Sequence, residues 1–287
     1  MKKLLLMLGI LAGLMLNGRA QVTVEVVLDQ DQFLPGEALP VAVKITNLSG
    51  QPLHLGAERD WLTFTVDSVD GFVVMKNSDV PVAGEFDLAS SQMATKRVDL
   101  APSFMLTRSG RYHIVATLRI KEWGAQVAST PKSFDVINGS VLWSQNFGLP
   151  GSAGHEPEVR RYSLIKANYK MSQLRLYVQV SDPVDARVYS VKPIGPLVSF
   201  SAPEAQVDPQ SQLHVLYQSG GSLFSYSVVD TQGEIVSRDI YDYANHRPRL
   251  GVDDQGNVVV VGGVRRLNAG EMPLVKMPDE VQIPAHP

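Results

Sequence analysis

Three segments in the C-terminal half carry one pattern, and that pattern restricts the chain to a few architectures. They are VDPQSQLHV (207–215), VDTQGEIVS (229–237) and VDDQGNVVV (252–260), each Val-Asp-x-Gln-x-x-aliphatic. Their starts lie 22 and 23 residues apart, so every second copy falls 45 residues on. Aspartate opens tight turns because its carboxylate bonds backbone N–H groups two residues ahead. Gly233 and Gly256 can supply a positive φ, and Ser211 holds that place in the first copy. The runs that follow, LHVLY, EIVSRDIY and NVVVV, are rich in residues that suit a pleated surface. The pattern predicts consecutive β-hairpins and assigns Asp208, Asp230 and Asp253 to structural turns.

A fainter copy lies upstream, where LYVQVSDPVDARVYSV (176–191) aligns without a gap on LHVLYQSGGSLFSYSV (213–228). The repeat resembles the blades of bacterial β-propellers, in which an Asp-x-x-Gly turn precedes an outer strand. Residues 158–268 would then supply about two and a half blades of about 45 residues. The smallest closed propellers have about four, so the resemblance implies an open arc or a stack of antiparallel sheets.

The N-terminal half alternates at the strand period. Val41, Val43 and Ile45 share one face, as do Leu62, Phe64 and Val66. SGRYHIVATLRI (109–120) puts Tyr112, Ile114, Ala116, Leu118 and Ile120 on one side. Asp70-Gly71 predicts a hairpin before FVVM, and Asn138-Gly139 predicts a second between FDVI and SVLW. PGE-x-L-x-V-x-V-x-I-x-N near the start, with SG-x-Y-x-I-x-A-x-L near the end, is similar to a bacterial immunoglobulin-like domain over residues 22–137. That resemblance implies a β-sandwich used for spacing, adhesion or packing, with no catalytic residues. The glycine- and proline-rich stretch 146–157 reads as a linker. The expected organisation is a signal peptide at 1–20, a sandwich at 21–145, repeats at 158–268 and a Pro-rich disordered tail at 269–287.

Lys2 and Lys3 precede thirteen apolar residues, Leu4 to Leu16, and Gly18 and Ala20 suit a signal peptidase. The apolar run is too short to span a bilayer, so a periplasmic or extracellular location is expected, with no membrane span in the mature chain. There is no cysteine, which excludes disulfides, thiolate metal sites and a cysteine nucleophile. Net charge is −3 and no basic stripe stands out, which argues against nucleic acid as a partner.

Chemistry-bearing motifs are sparse. The six histidines form no H-E-x-x-H, and no G-x-S-x-G elbow occurs. His113 and His214 read as ordinary strand residues. Eight of the nine tyrosines lie in 158–268, and tyrosine is enriched at interfaces. Tyr217, Tyr241 and Tyr243, with His246 and Arg247 in a polar loop, are therefore the candidate binding residues. No cofactor and no metal site are expected. The reading is an exported, all-β, non-catalytic binding or scaffold protein with a protein or glycan partner. Self-association is also expected, because Asn257 to Val261 is too apolar for a free edge and should pair on both sides. The alternative is a hydrolase acting on glycan or peptide from the propeller-like half.

Overall fold

Alternating apolar residues build the first layers. In the computed structural model, which describes residues 21–149, 158–170, 172–184, 187–198 and 200–267, the chain is all-β. It has one short 3₁₀ turn at Lys121–Trp123 and no α-helix among the described residues. The expected signal peptide at 1–20 and the expected tail at 269–287 lie outside the described residues. The chain forms two compact units that meet in sequence between Pro196 and Leu197.

The first unit begins with ten strands: β1 (Val22–Leu28), β2 (Gln32–Phe33), β3 (Pro40–Asn47), β4 (Leu53–Leu55), β5 (Leu62–Ser68), β6 (Phe86–Leu88), β7 (Met93–Asp99), β8 (Gly110–Ile120), β9 (Ala125–Ala128) and β10 (Lys132–Val136). One sheet runs β1-β3-β7, and a second runs β2-β10-β8-β5 with β9 on β8. Both feed one core. Val22, Val24 and Val26 meet Leu62, Phe64 and Val66, and the five inward residues of β8 from Tyr112 to Ile120 are fully buried. Phe134 stacks on Tyr112 at 5.3 Å. Burial of such side chains is worth about 1.5–3 kcal/mol each.

Two expected hairpins do not form. Asp70-Gly71 turns, with Gly71 at φ 81°, but the following FVVM leaves the sheet and Val73 is exposed. Asn138-Gly139 joins strands of different sheets, since β10 pairs with β8 and β2 while β11 (Ser140–Leu149) pairs with β12 (Glu158–Lys170). Gly139 is needed for space rather than for a turn, because a Cβ there would lie 2.2 Å from Ile165 Cγ2.

The unit continues with β13 (Gln173–Ser181) and β14 (Val188–Pro196), giving a four-stranded meander β11-β12-β13-β14. Residues 146–149 of the expected linker are therefore strand, and 150–157 lie outside the described residues. One face of this meander, with Ile165, Ala167, Tyr177 and Val191, packs on Leu34.

In the second unit β15 (Glu204–Val207), β16 (Leu213–Gln218), β17 (Leu223–Val229) and β18 (Ile235–Asp242) form another meander. It is extended by β21 (Val264–Arg265), while β19 (Arg249–Val252) and β20 (Val258–Val261) form a separate hairpin. No closed propeller is present among the described residues. The repeat marks hairpins instead: Asp208, Asp230 and Asp253 open the β15–β16, β17–β18 and β19–β20 turns. Leu250 and Val260 of the last hairpin pack on Leu216, Phe224, Tyr226 and Val228. The expectation that Asn257 to Val261 pairs on both sides fails. Among the described residues β20 pairs only with β19, because the hairpin folds its apolar face onto the larger sheet instead of joining its edge.

Candidate functional site

The three turns share one wiring. In each, the aspartate Oδ1 accepts the N–H groups of the second and fourth residues ahead at 2.8–2.9 Å. The aspartate carbonyl accepts the N–H of the third, which has a positive φ: Ser211 64°, Gly233 85° and Gly256 85°. A left-handed third residue suits four-residue hairpin loops. The first turn differs from the others. Asp208 Oδ2 lies 3.0 Å from His214 Nε2, and His214 Nδ1 lies 2.6 Å from the Tyr226 hydroxyl. His214 and Tyr226 are buried, and burial pushes the Tyr226 phenol up to about 12. His214, expected to be an ordinary strand residue, instead links Asp208 to Tyr226. Its signal is a histidine two residues beyond a turn opened by aspartate.

The proposed binding residues do not gather as one face. Tyr217 is buried, and burial pushes its phenol up to about 12. Tyr241 packs edge-on to Tyr226 at 6.5 Å, on the core side. Tyr243 and Arg247 do come together, lining a shallow concavity of about 390 Å³ with Phe224 and Gln218. Arg247 lies 5.2 Å over the Phe224 ring and donates to Ser201 Oγ at 3.2 Å. His246 is exposed in the same loop and its carbonyl accepts the Gly263 N–H.

A larger groove of about 490 Å³ lies in the first unit, lined by none of the candidate binding residues. One wall is β5, an end strand of its sheet. Thr63 and Thr65 point outward from it, while Leu62 and Phe64 are buried. The other wall is the segment 76–83, with Val80, Pro81 and Val82. Trp61 Nε1 donates to Val82 O at 2.9 Å and holds that segment against the strand. Lys96 Nζ adds a bond to Gly84 O at 3.1 Å and sits 4.4 Å over the Phe86 ring. Two acidic rim groups are paired, Asp79 with Lys76 at 2.6 Å and Asp60 with Arg119, and Arg59 also lines the groove. The Lys76 ammonium holds the Asp79 carboxyl below its ordinary range. An apolar trough beside a strand edge can hold an extended chain, because the edge offers backbone donors and acceptors in a row. The signal was present only in part: β5 was legible, but its place at the end of a sheet was not.

Two further polar clusters belong to the first unit. Glu37 is buried, and burial raises its carboxyl. It accepts the Leu34 N–H at 2.9 Å and Gln30 Nε2 at 2.8 Å, and Arg175 Nη1 donates to Gln30 Oε1 at 3.0 Å. His54 lies between Asp87 and Glu85, at 2.7 and 2.5 Å, and both carboxylates raise its imidazolium above the ordinary histidine range. Among the described residues no group of three His, Cys, Asp or Glu is arranged to hold a metal, and no helix is long and apolar enough to cross a membrane.

No family model matches the chain, and no curated protein matches it. Among solved structures it has a weak likeness to Spo0M, the sporulation control protein of Bacillus subtilis. Identity is 11% over 56% of this chain and 80% of that one, with a TM-score of 0.32.

Proposed function

We propose that this is an exported, non-catalytic binding protein that takes an extended, apolar segment of another protein along β5. The carrying observation is the groove between β5 and Val80–Val82, whose apolar walls flank a strand edge and whose acidic rim groups, Asp60 and Asp79, are paired with Arg119 and Lys76. Strand addition supplies affinity through main-chain bonds, and the trough selects every second side chain. A protein segment fits this chemistry better than a glycan, which would call for polar groups and open aromatic faces. The hydrolase reading needs acids or histidine converging on an open cleft, whereas His214 and Tyr226 are buried and the Asp208 side chain is 9% exposed. Export rests on the basic and apolar character of residues 1–20.

The first two sheets are read as an immunoglobulin-like sandwich. Tyr112 supports this, because its hydroxyl donates at 2.5 Å to the carbonyl of Arg108, four residues upstream, in the manner of the tyrosine corner of that fold. The meanders β11–β14 and β15–β18 are read as propeller-like blades, supported by their up-and-down strand order.

The test is selection of displayed random peptides on the purified chain. Enriched peptides are expected to alternate apolar and polar residues and to lose about tenfold or more in affinity to a Val82→Glu variant, a loss of about 1.4 kcal/mol. Peptides without alternation, or equal affinity for the variant, would overturn the reading.

A further inference from the structure

The four-stranded meander β11-β12-β13-β14 has two edges with opposite character. β14 is protected in the ways proteins usually protect an edge. It carries Lys192, Pro193 and Pro196, its ladder to β13 is broken by two register shifts, and Glu37 bridges Val191 from outside. β11 has none of these protections except one irregularity. Its ten residues, SVLWSQNFGL, contain no charge and no proline, and most are exposed. Val141 is 61% exposed and Leu142 38%. The single register shift lies between Val141 and Trp143, so Trp143–Phe147 is regular. Among the described residues, β12 is the strand it pairs with.

We infer that β11 is a self-association edge, where two copies of this chain pair antiparallel about a two-fold axis through Gln145 and join their meanders into an eight-stranded sheet. Two observations select a second copy as the occupant. Any isologous contact sets the segment against itself, and a strand without charge does this with no like-charge repulsion. Antiparallel pairing about Gln145 places Trp143 opposite Phe147, Ser144 opposite Asn146 and Gln145 opposite itself. Each opposed pair is therefore aromatic with aromatic or polar with polar, and lies on one face. A two-fold through Ser144 instead would set Trp143 against Gln145 and Val141 against Phe147, mixing polar and apolar partners at the first of these. Phe147 is itself buried in the protomer, stacked on Tyr162 at 4.0 Å, so the half-buried Trp143 is the more accessible aromatic of that pair. The surface lies outside the β5 groove, so the inference stands or falls independently of the peptide reading.

The experiment measures mass by light scattering and sedimentation on the purified full chain and on Q145K and Q145E, with circular dichroism checking that the variants keep their strand content. Twice the chain mass is expected for the parent. Each variant places two like charges on the axis and is expected to raise the dimer dissociation constant by about tenfold or more. An equimolar mixture of the two variants, which places Lys opposite Glu, is expected to recover the dimer. A monomeric parent would overturn the inference, as would a dimer unmoved by both substitutions, or variants whose mixture stays monomeric.

Discussion

Asp208 and His214 meet across the first repeat turn, Oδ2 to Nε2 at 3.0 Å, while the other carboxylate oxygen holds the N–H groups of Gln210 and Gln212. One side chain thus closes the turn and satisfies a buried imidazole. The second and third turns have valine at the equivalent places, Val236 and Val259. They also have glycine where the first has Ser211 in the left-handed region, so the added contact sits in the one turn that carries backbone strain.

This asymmetry orders the aspartate substitutions. Asp230→Ala and Asp253→Ala are each expected to cost about 0.5–2 kcal/mol, the range for a lost capping side chain. Asp208→Ala is expected to cost about a further 1–3 kcal/mol, because it leaves a buried polar group without its partner. Ser211→Gly is expected to stabilise by about 1 kcal/mol through relief of the left-handed conformation. Denaturant unfolding measures all four, and equal losses at the three aspartates would show that the His214 contact contributes nothing.

Gly139 tests whether the passage between β10 and β11 is a matter of space. Gly139→Ala would set a Cβ 2.2 Å from Ile165 Cγ2 and 3.1 Å from Lys166 O, and overpacking of this kind costs about 1–3 kcal/mol. Gly221→Ala is the control, since a Cβ there meets nothing within 4 Å, and its change should stay within about 0.5 kcal/mol. Comparable melting of the two variants would contradict the close approach.

Glu37 predicts a dependence on pH. Burial raises its carboxyl above 4.5 in the folded chain, against the bonds from Leu34 and Gln30 and the Arg175 charge, which lower it. With the folded value above the unfolded one, the unfolded chain releases its proton first. The Glu37 contribution to stability is therefore largest below pH 4.5 and shrinks as pH rises from there to the raised value. Glu37→Gln should remove that slope, so the stability of the variant relative to the parent increases across this window. Parallel pH profiles of the two proteins would refute it.

The strands, the buried face of β8 and the turn chemistry of Asp208, Asp230 and Asp253 are local properties, and the amino-acid sequence determined them. Residue alternation sets which side of a strand is apolar, and an aspartate carboxylate reaches only the next few backbone N–H groups. What lay beyond reach was which strand ends up at an edge and which polar groups meet. Asn138-Gly139 has the composition of a hairpin, yet β10 and β11 belong to different sheets, because β10 pairs back to β8 and β11 forward to β12. Gln30, Glu37 and Arg175 converge from positions as much as 145 residues apart. Tyr217 and Tyr243 are the same residue type in one tyrosine-rich stretch, but one is buried in the sheet and the other is exposed. Such outcomes depend on long-range pairing and on which surface each sheet covers. Those are settled by the packing free energy of the assembled layers rather than by the preference of any segment.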